Sequence, residues 1–202
     1  MPPLLRCLRR FAADRRGIAI VEFAALLPVL VVAFFGCFEA ARYILTNLKI
    51  DRVAGETADL VSQLDSVSTA ELTDLFYAGE DIMTPFDGTQ NGRLDDGIII
   101  VSDVYCQPNA NPSWKCPTNA PAKVSWQRND GGGLAATSKI GSVGGDATLP
   151  TGLTLGQGED VIVVEAYYRY TPSLASWMFG TTTFYKVAYY RPRGQTALNT
   201  LN

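Results

Sequence analysis

The sequence predicts an α+β chain: one long N-terminal helix, its first half a transmembrane segment, packed on a small antiparallel sheet. Three observations carry this. Residues Ile18 to Phe38 form an apolar run of 21 residues with a single charge, Glu22. Beyond Phe38 the apolar residues keep a helical spacing as far as Leu64. After Pro85 the texture changes to β-branched and aromatic runs separated by turn-forming stretches.

At about 1.5 Å of rise per residue, the apolar run spans roughly 30 Å as a helix, the thickness of a bilayer's hydrocarbon core. Arg6, Arg9, Arg10, Arg15 and Arg16 precede it against the lone acid Asp14, so residues 1–17 carry a side-chain charge of +4. The total is −3, which leaves −7 for residues 18–202. Basic flanks stay on the cytoplasmic side, so the N-terminus is expected to face in and the acidic body out. An acidic body also argues against a nucleic-acid partner, which selects a basic footprint. A cleavable secretory signal fits poorly, because the run exceeds a usual signal core and no Ala-x-Ala site follows it. Leu4-Leu5-Arg6-Cys7 does not make a lipoprotein site either, with Arg6 where a small residue belongs. An uncleaved signal anchor stays open.

Within the run, Glu22 stands out. A carboxylate in lipid is costly, and an intramembrane acid is a functional candidate unless it snorkels to the headgroups, about 6 Å of helix rise from Ile18. Pro28 removes a helical donor in the same segment and is expected to kink it.

Past the run, Tyr43, Thr46, Ile50, Val53, Thr57, Leu60 and Leu64 recur at 3–4 spacing, with most charges elsewhere on the wheel. One helix from about Arg15 to Leu64 is expected, its second half presenting this stripe to a folded domain. Gly55 weakens it by about 1 kcal/mol relative to Ala. A second, short helix starts at Ser68-Thr69-Ala70-Glu71, which has capping-box spacing, shows Leu72, Leu75 and Phe76 on one face, and has Gly79 placed to end it.

The remaining chain reads as strands and loops. Ile98–Tyr105, Lys123–Arg128, Asp160–Tyr170 and Thr181–Arg191 are the strand candidates, the last two as an antiparallel pair. Residues 137–158, rich in Gly, Thr and Ser, read as a long exposed loop. Cys106 and Cys116 have nine residues between them, in a Pro/Asn-rich stretch. In an oxidising compartment this spacing reads as a local disulfide. Cys37 at the end of the apolar run reads as a packing residue, and Cys7 lies in the basic leader.

Candidate chemistry is sparse. The chain has no His, and two isolated thiols do not make a four-ligand metal set. Asp130-Gly131-Gly132-Gly133 lacks the Lys-Ser/Thr of a phosphate loop. The acidic stretch Asp87 to Asp96 offers oxygens for calcium but departs from EF-hand spacing and carries Arg93 in its middle, so a solvated hairpin loop is favoured. Tyr167, Tyr168, Tyr170, Tyr189 and Tyr190 suit sheet packing better than ligand stacking. The expectation is a protein that is not an enzyme and uses no cofactor or metal.

A basic leader, Gly17, an apolar run and a Glu at the fifth position after that Gly together resemble the processing site of type IV prepilins. Gly-Ile-Ala-Ile-Val-Glu-Phe-Ala from Gly17, then Leu27-Pro28 and Phe38-Glu39-Ala40-Ala41-Arg42, are most similar to TadE-like pseudopilins of the tight-adherence (Flp/Tad) pilus. Tyr168-Arg169-Tyr170-Thr171-Pro172 and Tyr190-Arg191-Pro192-Arg193 resemble the C-terminal half of such proteins. The resemblance implies a pilin-like fold and a minor pilin cut after Gly17 by a prepilin peptidase, with Ile18 as the new N-terminus. It implies that Glu22, with Phe23 beside it, docks against a neighbouring subunit's terminal amine, and that Pro28 lets the helix bend inside a filament. The physical case agrees, since a carboxylate in lipid is tolerable when a partner supplies a positive charge at its depth. The implied organisation is a leader at 1–17, a transmembrane helix at 18–38, its continuation at 39–64 and a periplasmic α+β domain at 65–202. The implied setting is the bacterial inner membrane, with membrane lipid, other pilins and minor pilins and the inner-membrane pilus assembly machinery as partners, and the pilus or cell surface after assembly. The alternative is an uncleaved, signal-anchored periplasmic binding domain.

Overall fold

The computed structural model describes residues 17–87, 91–108, 116, 121–174, 176, 180–194, 198 and 201. The leader arginines and Cys7, most of the Cys106–Cys116 loop and residues 88–90 of the acidic stretch lie outside these. Helix α1 runs from Ile18 to Ser62 without interruption, 45 residues with Pro28 inside it. The expected start at about Arg15 lies outside the described residues; the last two expected residues, Gln63 and Leu64, already belong to the turn that follows.

The two halves of α1 differ in what surrounds them. From Ile18 to Phe38 the large apolar side chains are exposed, and this is the one helix among the described residues long and apolar enough to cross a membrane. From Glu39 onward one stripe is buried: Thr46, Ile50, Val53, Ala54, Thr57, Ala58 and Val61. Tyr43 and Leu64 pack against the same core, as the spacing predicts, but Leu60 does not. It faces outward and Val61 takes its place, because a 3.6-residue period carries the stripe past position 60.

Helix α2, Thr69–Met83, opens on the expected capping box: the Glu71 amide donates to the Ser68 hydroxyl (3.3 Å) and the Ser68 amide to the Glu71 carboxylate (2.8 Å). Gly79 does not end it. A Cβ there would meet Cδ1 of Ile99 at 2.8 Å and Cγ1 of Val53 at 3.5 Å, so this glycine marks where α2 crosses closest to α1 and the sheet. The helix ends before Pro85 instead, and the Lys49 ammonium donates to the carbonyls of Ile82 (2.6 Å) and Thr84 (2.7 Å), satisfying acceptors the helix end leaves open.

Strands β1 (Gly97–Tyr105), β2 (Lys123–Asn129), β3 (Asp160–Tyr170) and β4 (Thr182–Tyr190) form one antiparallel sheet in the order β2-β1-β3-β4. The fold is therefore α+β with a long apolar N-terminal helix, a pilin-like plan. One sheet face, with Ile99, Val101, Ile162, Val164, Ala166, Tyr168, Tyr170 and Phe184, packs on α1 and α2. The other face is covered as well. Ile140, Ala147 and Leu155 are buried against Val104, Val161 and Val163, so the loop 137–158, with many of its residues exposed as its composition suggests, also covers this face of the sheet through these three side chains. The reason lies in β1 and β3, whose Ile98-Ile99-Ile100-Val101 and Val161-Ile162-Val163-Val164 runs are apolar on both faces and need cover on both.

Glycine has a further use at the sheet's edge. A Cβ at Gly132 would lie 2.2 Å from the Gly97 carbonyl oxygen, and one at Gly133 2.0 Å from that of Asp95. The Asp130 carboxylate accepts the amides of Leu94 (3.0 Å), Ile99 (3.1 Å) and Gly132 (3.0 Å), closing the chain over the start of β1. Asp130-Gly131-Gly132-Gly133 thus serves a close backbone crossing.

Candidate functional site: the anchor and its junction with the domain

The residues singled out at the start of the anchor lie together on the first turns of α1. The Gly17 carbonyl accepts the amides of Ile20 and Val21 (both 3.2 Å), which makes Gly17 the residue that opens the helix. Its φ is −92° and nothing lies within 4 Å of where a Cβ would stand. Among the described residues, nothing demands a glycine at 17. Ile18, Glu22 and Phe23 are exposed, and Glu22 has no hydrogen-bond or ion-pair partner among the described residues.

A second carboxylate was not assigned a role from sequence, and the structure makes it central. Glu39 stands one residue past the apolar run and is fully buried. Its carboxylate accepts the Tyr170 hydroxyl and the amides of Ser173 (3.3 Å) and Leu174 (3.0 Å), and the Arg42 guanidinium lies 3.7 Å away. Burial pushes the Glu39 carboxyl up, but the hydrogen bonds from Tyr170, Leu174 and Ser173 and the charge of Arg42 outweigh it and hold the group below its ordinary value. Around this node Tyr43 meets Tyr170 and Phe184 edge-on, at 5.4 and 4.9 Å between ring centroids, and Arg42 lies over Phe86 and Tyr170. The end of the anchor is thereby tied to the end of β3. The only sequence signal was a Glu at the edge of an apolar run with Arg three residues on; nothing in the sequence pairs it with a tyrosine 131 residues away.

The other candidates have structural employment. Cys106 and Cys116 are joined, with Cα atoms 5.8 Å apart. Asp87 accepts the amides of Asp95 (3.1 Å) and Asp96 (3.2 Å), Glu80 those of Asn91 and Gly92, and Asp96 pairs with Arg169 at 2.6 Å. The acidic stretch thus folds its own backbone around its carboxylates. The tyrosines pack in the sheet: Tyr167 and Tyr185 stack at 4.8 Å, and both donate to the buried Glu165, which also takes the Lys139 amide. Tyr168 donates to the Phe86 carbonyl (2.9 Å). Asp103 is a different case. It is fully buried on β1 and neither carboxylate oxygen makes a well-formed hydrogen bond. Burial and the charge of nearby Asp160 push it up to about 7, with the Ser125 hydroxyl opposing. Asp160 is itself raised by burial, although it accepts the Leu198 amide. No group of three or more metal-ligating side chains occurs among the described residues.

Comparison with known proteins bears on the anchor. A family model described as TadE-like protein matches residues 17–59, a 43-residue stretch that begins at Gly17 and takes in Glu22, Pro28 and Glu39. The C-terminal motifs that resemble the same family lie outside the match. Neither the curated proteins nor the solved structures contain a match to the chain. Residues 17–59 are thus similar to TadE-like proteins, consistent with a pseudopilin-type protein and a structural role of minor-pilin kind within a pilus-assembly system.

Proposed function

We propose that this chain is a minor pilin-like subunit of a Tad/Flp-type pilus, inserted with its N-terminus cytoplasmic and its domain periplasmic, and cut after Gly17 by a prepilin peptidase. Ile18 becomes the N-terminus, and Glu22, flanked by Phe23, meets the terminal amine of a neighbouring pilin within the membrane or filament. Pro28 lets the anchor bend as it leaves the bilayer for the filament. Residues 1–17, 18–38, 39–64 and 65–202 act as leader, transmembrane helix, helix continuation and periplasmic domain. The observation that carries the reading is the pairing of Gly17 and Glu22: a glycine the fold does not require, five residues before an acid with no partner in the described chain. Both make sense if the demand comes from other molecules, a peptidase for one and a sister subunit for the other.

The test is the intact mass and N-terminal residue of the membrane-extracted protein with and without the cognate peptidase. A chain starting at Ile18 only when the peptidase is present supports the proposal. A chain that keeps its arginine leader in both refutes processing and leaves the uncleaved anchored domain. Glu22→Ala is expected to spare insertion and impair assembly with pilin partners, and normal assembly would remove the docking role.

A further inference from the structure

Strand β3 runs alongside α1, with Tyr170 level with Glu39 at one end, while Arg193, after β4, pairs with Asp59 and donates its amide to Ser62 (2.8 Å) at the other. The connection from β3 to β4 therefore leaves the sheet at the end nearest the anchor. Its first residues are fixed there by the Glu39 carboxylate, which takes the amides of Ser173 and Leu174. Glu39 is one residue, about 1.5 Å of helix rise, beyond the apolar run. Leu174 is 49% exposed at this level, and Ser176 and Gly180 are exposed too. The sequence of the connection continues Ala175-Ser176-Trp177-Met178-Phe179, a composition suited to the boundary between headgroups and acyl chains, where Trp is enriched. Arg42 beside it, donating to the Ser173 hydroxyl and a quarter exposed, is a residue type that headgroup phosphates accept.

We propose that the start of the β3–β4 connection is a second membrane contact: Leu174, with Ser173 and Ser176, rests in the bilayer interface beside the emerging anchor helix. The occupant is lipid because the connection starts at the depth where the apolar run ends, and Glu39 holds it there. Asp95 and Asp96 lie toward the same end of the domain, so a zwitterionic surface suits it better than an anionic one. This proposal rests on residues 18–38 spanning the membrane, and not on cleavage or on Glu22.

The test uses the full chain, with Cys7→Ser and Cys37→Ala, reconstituted in phosphatidylcholine vesicles and labelled with an environment-sensitive fluorophore at one introduced cysteine. Leu174→Cys probes the connection, Ser176→Cys repeats it should a label at 174 disturb the Glu39 contact, and Val29→Cys reports the anchor. Val143→Cys is the reference, because Val143 is exposed and sits beside the start of β2, at the opposite end of the sheet. The label at 174 or 176 is expected to be quenched by lipids with a shallow nitroxide and to lose most of the iodide quenching seen at 143. Iodide access equal to that at 143 would overturn the proposal. Shielding from iodide without nitroxide quenching would overturn it too, by pointing to a protein cover such as a second copy. An unquenched label at 29 with deep nitroxide lipids would remove the membrane reading, and this proposal with it.

Discussion

Replacing Glu39 by Ala removes the acceptor for the Tyr170 hydroxyl and for the Ser173 and Leu174 amides, and leaves Arg42 without its carboxylate. Breaking a buried, charge-assisted set by deleting one partner costs about 3–5 kcal/mol, because the groups left behind stay desolvated. That is a large share of the roughly 5–15 kcal/mol that separates folded from unfolded domains. Tyr170→Phe removes one bond of the set while keeping the aromatic packing against Tyr43 and Phe184, and should cost about 1.5–3 kcal/mol. The assay is urea unfolding of the full chain in detergent micelles, followed by near-ultraviolet circular dichroism of its tyrosines and tryptophans. The double variant Glu39→Ala/Tyr170→Phe should fall short of the sum, since both act on one node. The Glu39 carboxyl is held below its ordinary value of 4.5, so its ionisation favours the folded state above that pH. The gain is lost as pH falls through the lowered value, and Glu39→Gln should flatten this acid limb. A loss below about 1 kcal/mol in Glu39→Ala, or strict additivity with Tyr170→Phe, would refute the idea that this node fastens the domain to the anchor.

Asp103 should give the opposite pH signature. Raised to about 7 from 3.8, it binds a proton more readily folded than unfolded, so stability falls as pH rises from about 4 to 7 and is level beyond. The span corresponds to at most about 4 kcal/mol, and Asp103→Asn should abolish that slope and stabilise the protein at pH 8, read as a rise in Tm. Two glycines of the helices should respond in opposite senses in the same melts. Gly55→Ala, with open space around it, should stabilise by about 0.5–1 kcal/mol, whereas Gly79→Leu, facing Ile99, should destabilise by about 1–3 kcal/mol. Cys106→Ser with Cys116→Ser should cost about 2–3 kcal/mol, and reductant should lower the Tm of the parent by a matching amount while leaving the double variant unchanged.

Local chemistry made several features legible in the sequence. The Ser68–Glu71 box is a four-residue event, and the helix it opens lies where the sequence puts it. The 21-residue run and the stripe after it join into one helix because nothing between Ile18 and Ser62 breaks the period, Pro28 included. The spacing of Cys106 and Cys116 announces their link. What escaped depends on contacts distant in sequence. Gly79 looks like a helix stop until Ile99 is seen against it. Residues 137–158 look exposed by composition, and the clue to the burial of Ile140, Ala147 and Leu155 among them lies elsewhere, in central strands apolar at consecutive positions. At the candidate site, Gly17 and Glu22 were visible as a pattern, while Glu39 needed the fold to bring Tyr170 and the β3–β4 connection to it. Gly55 has no structural explanation.

One feature of α1 has a mechanical reach. The rod that enters the bilayer is the same rod that forms one wall of the core, and no proline lies between Glu39 and Ser62. Those 24 residues make a lever about 36 Å long. A 10° change in the inclination of the anchor would swing its far end sideways by about 6 Å, carrying the disulfide-pinned end of the sheet with it. With no slack between foot and body, the stance of the domain above the membrane is set by how the anchor leans, and a neighbour that tips the one steers the other.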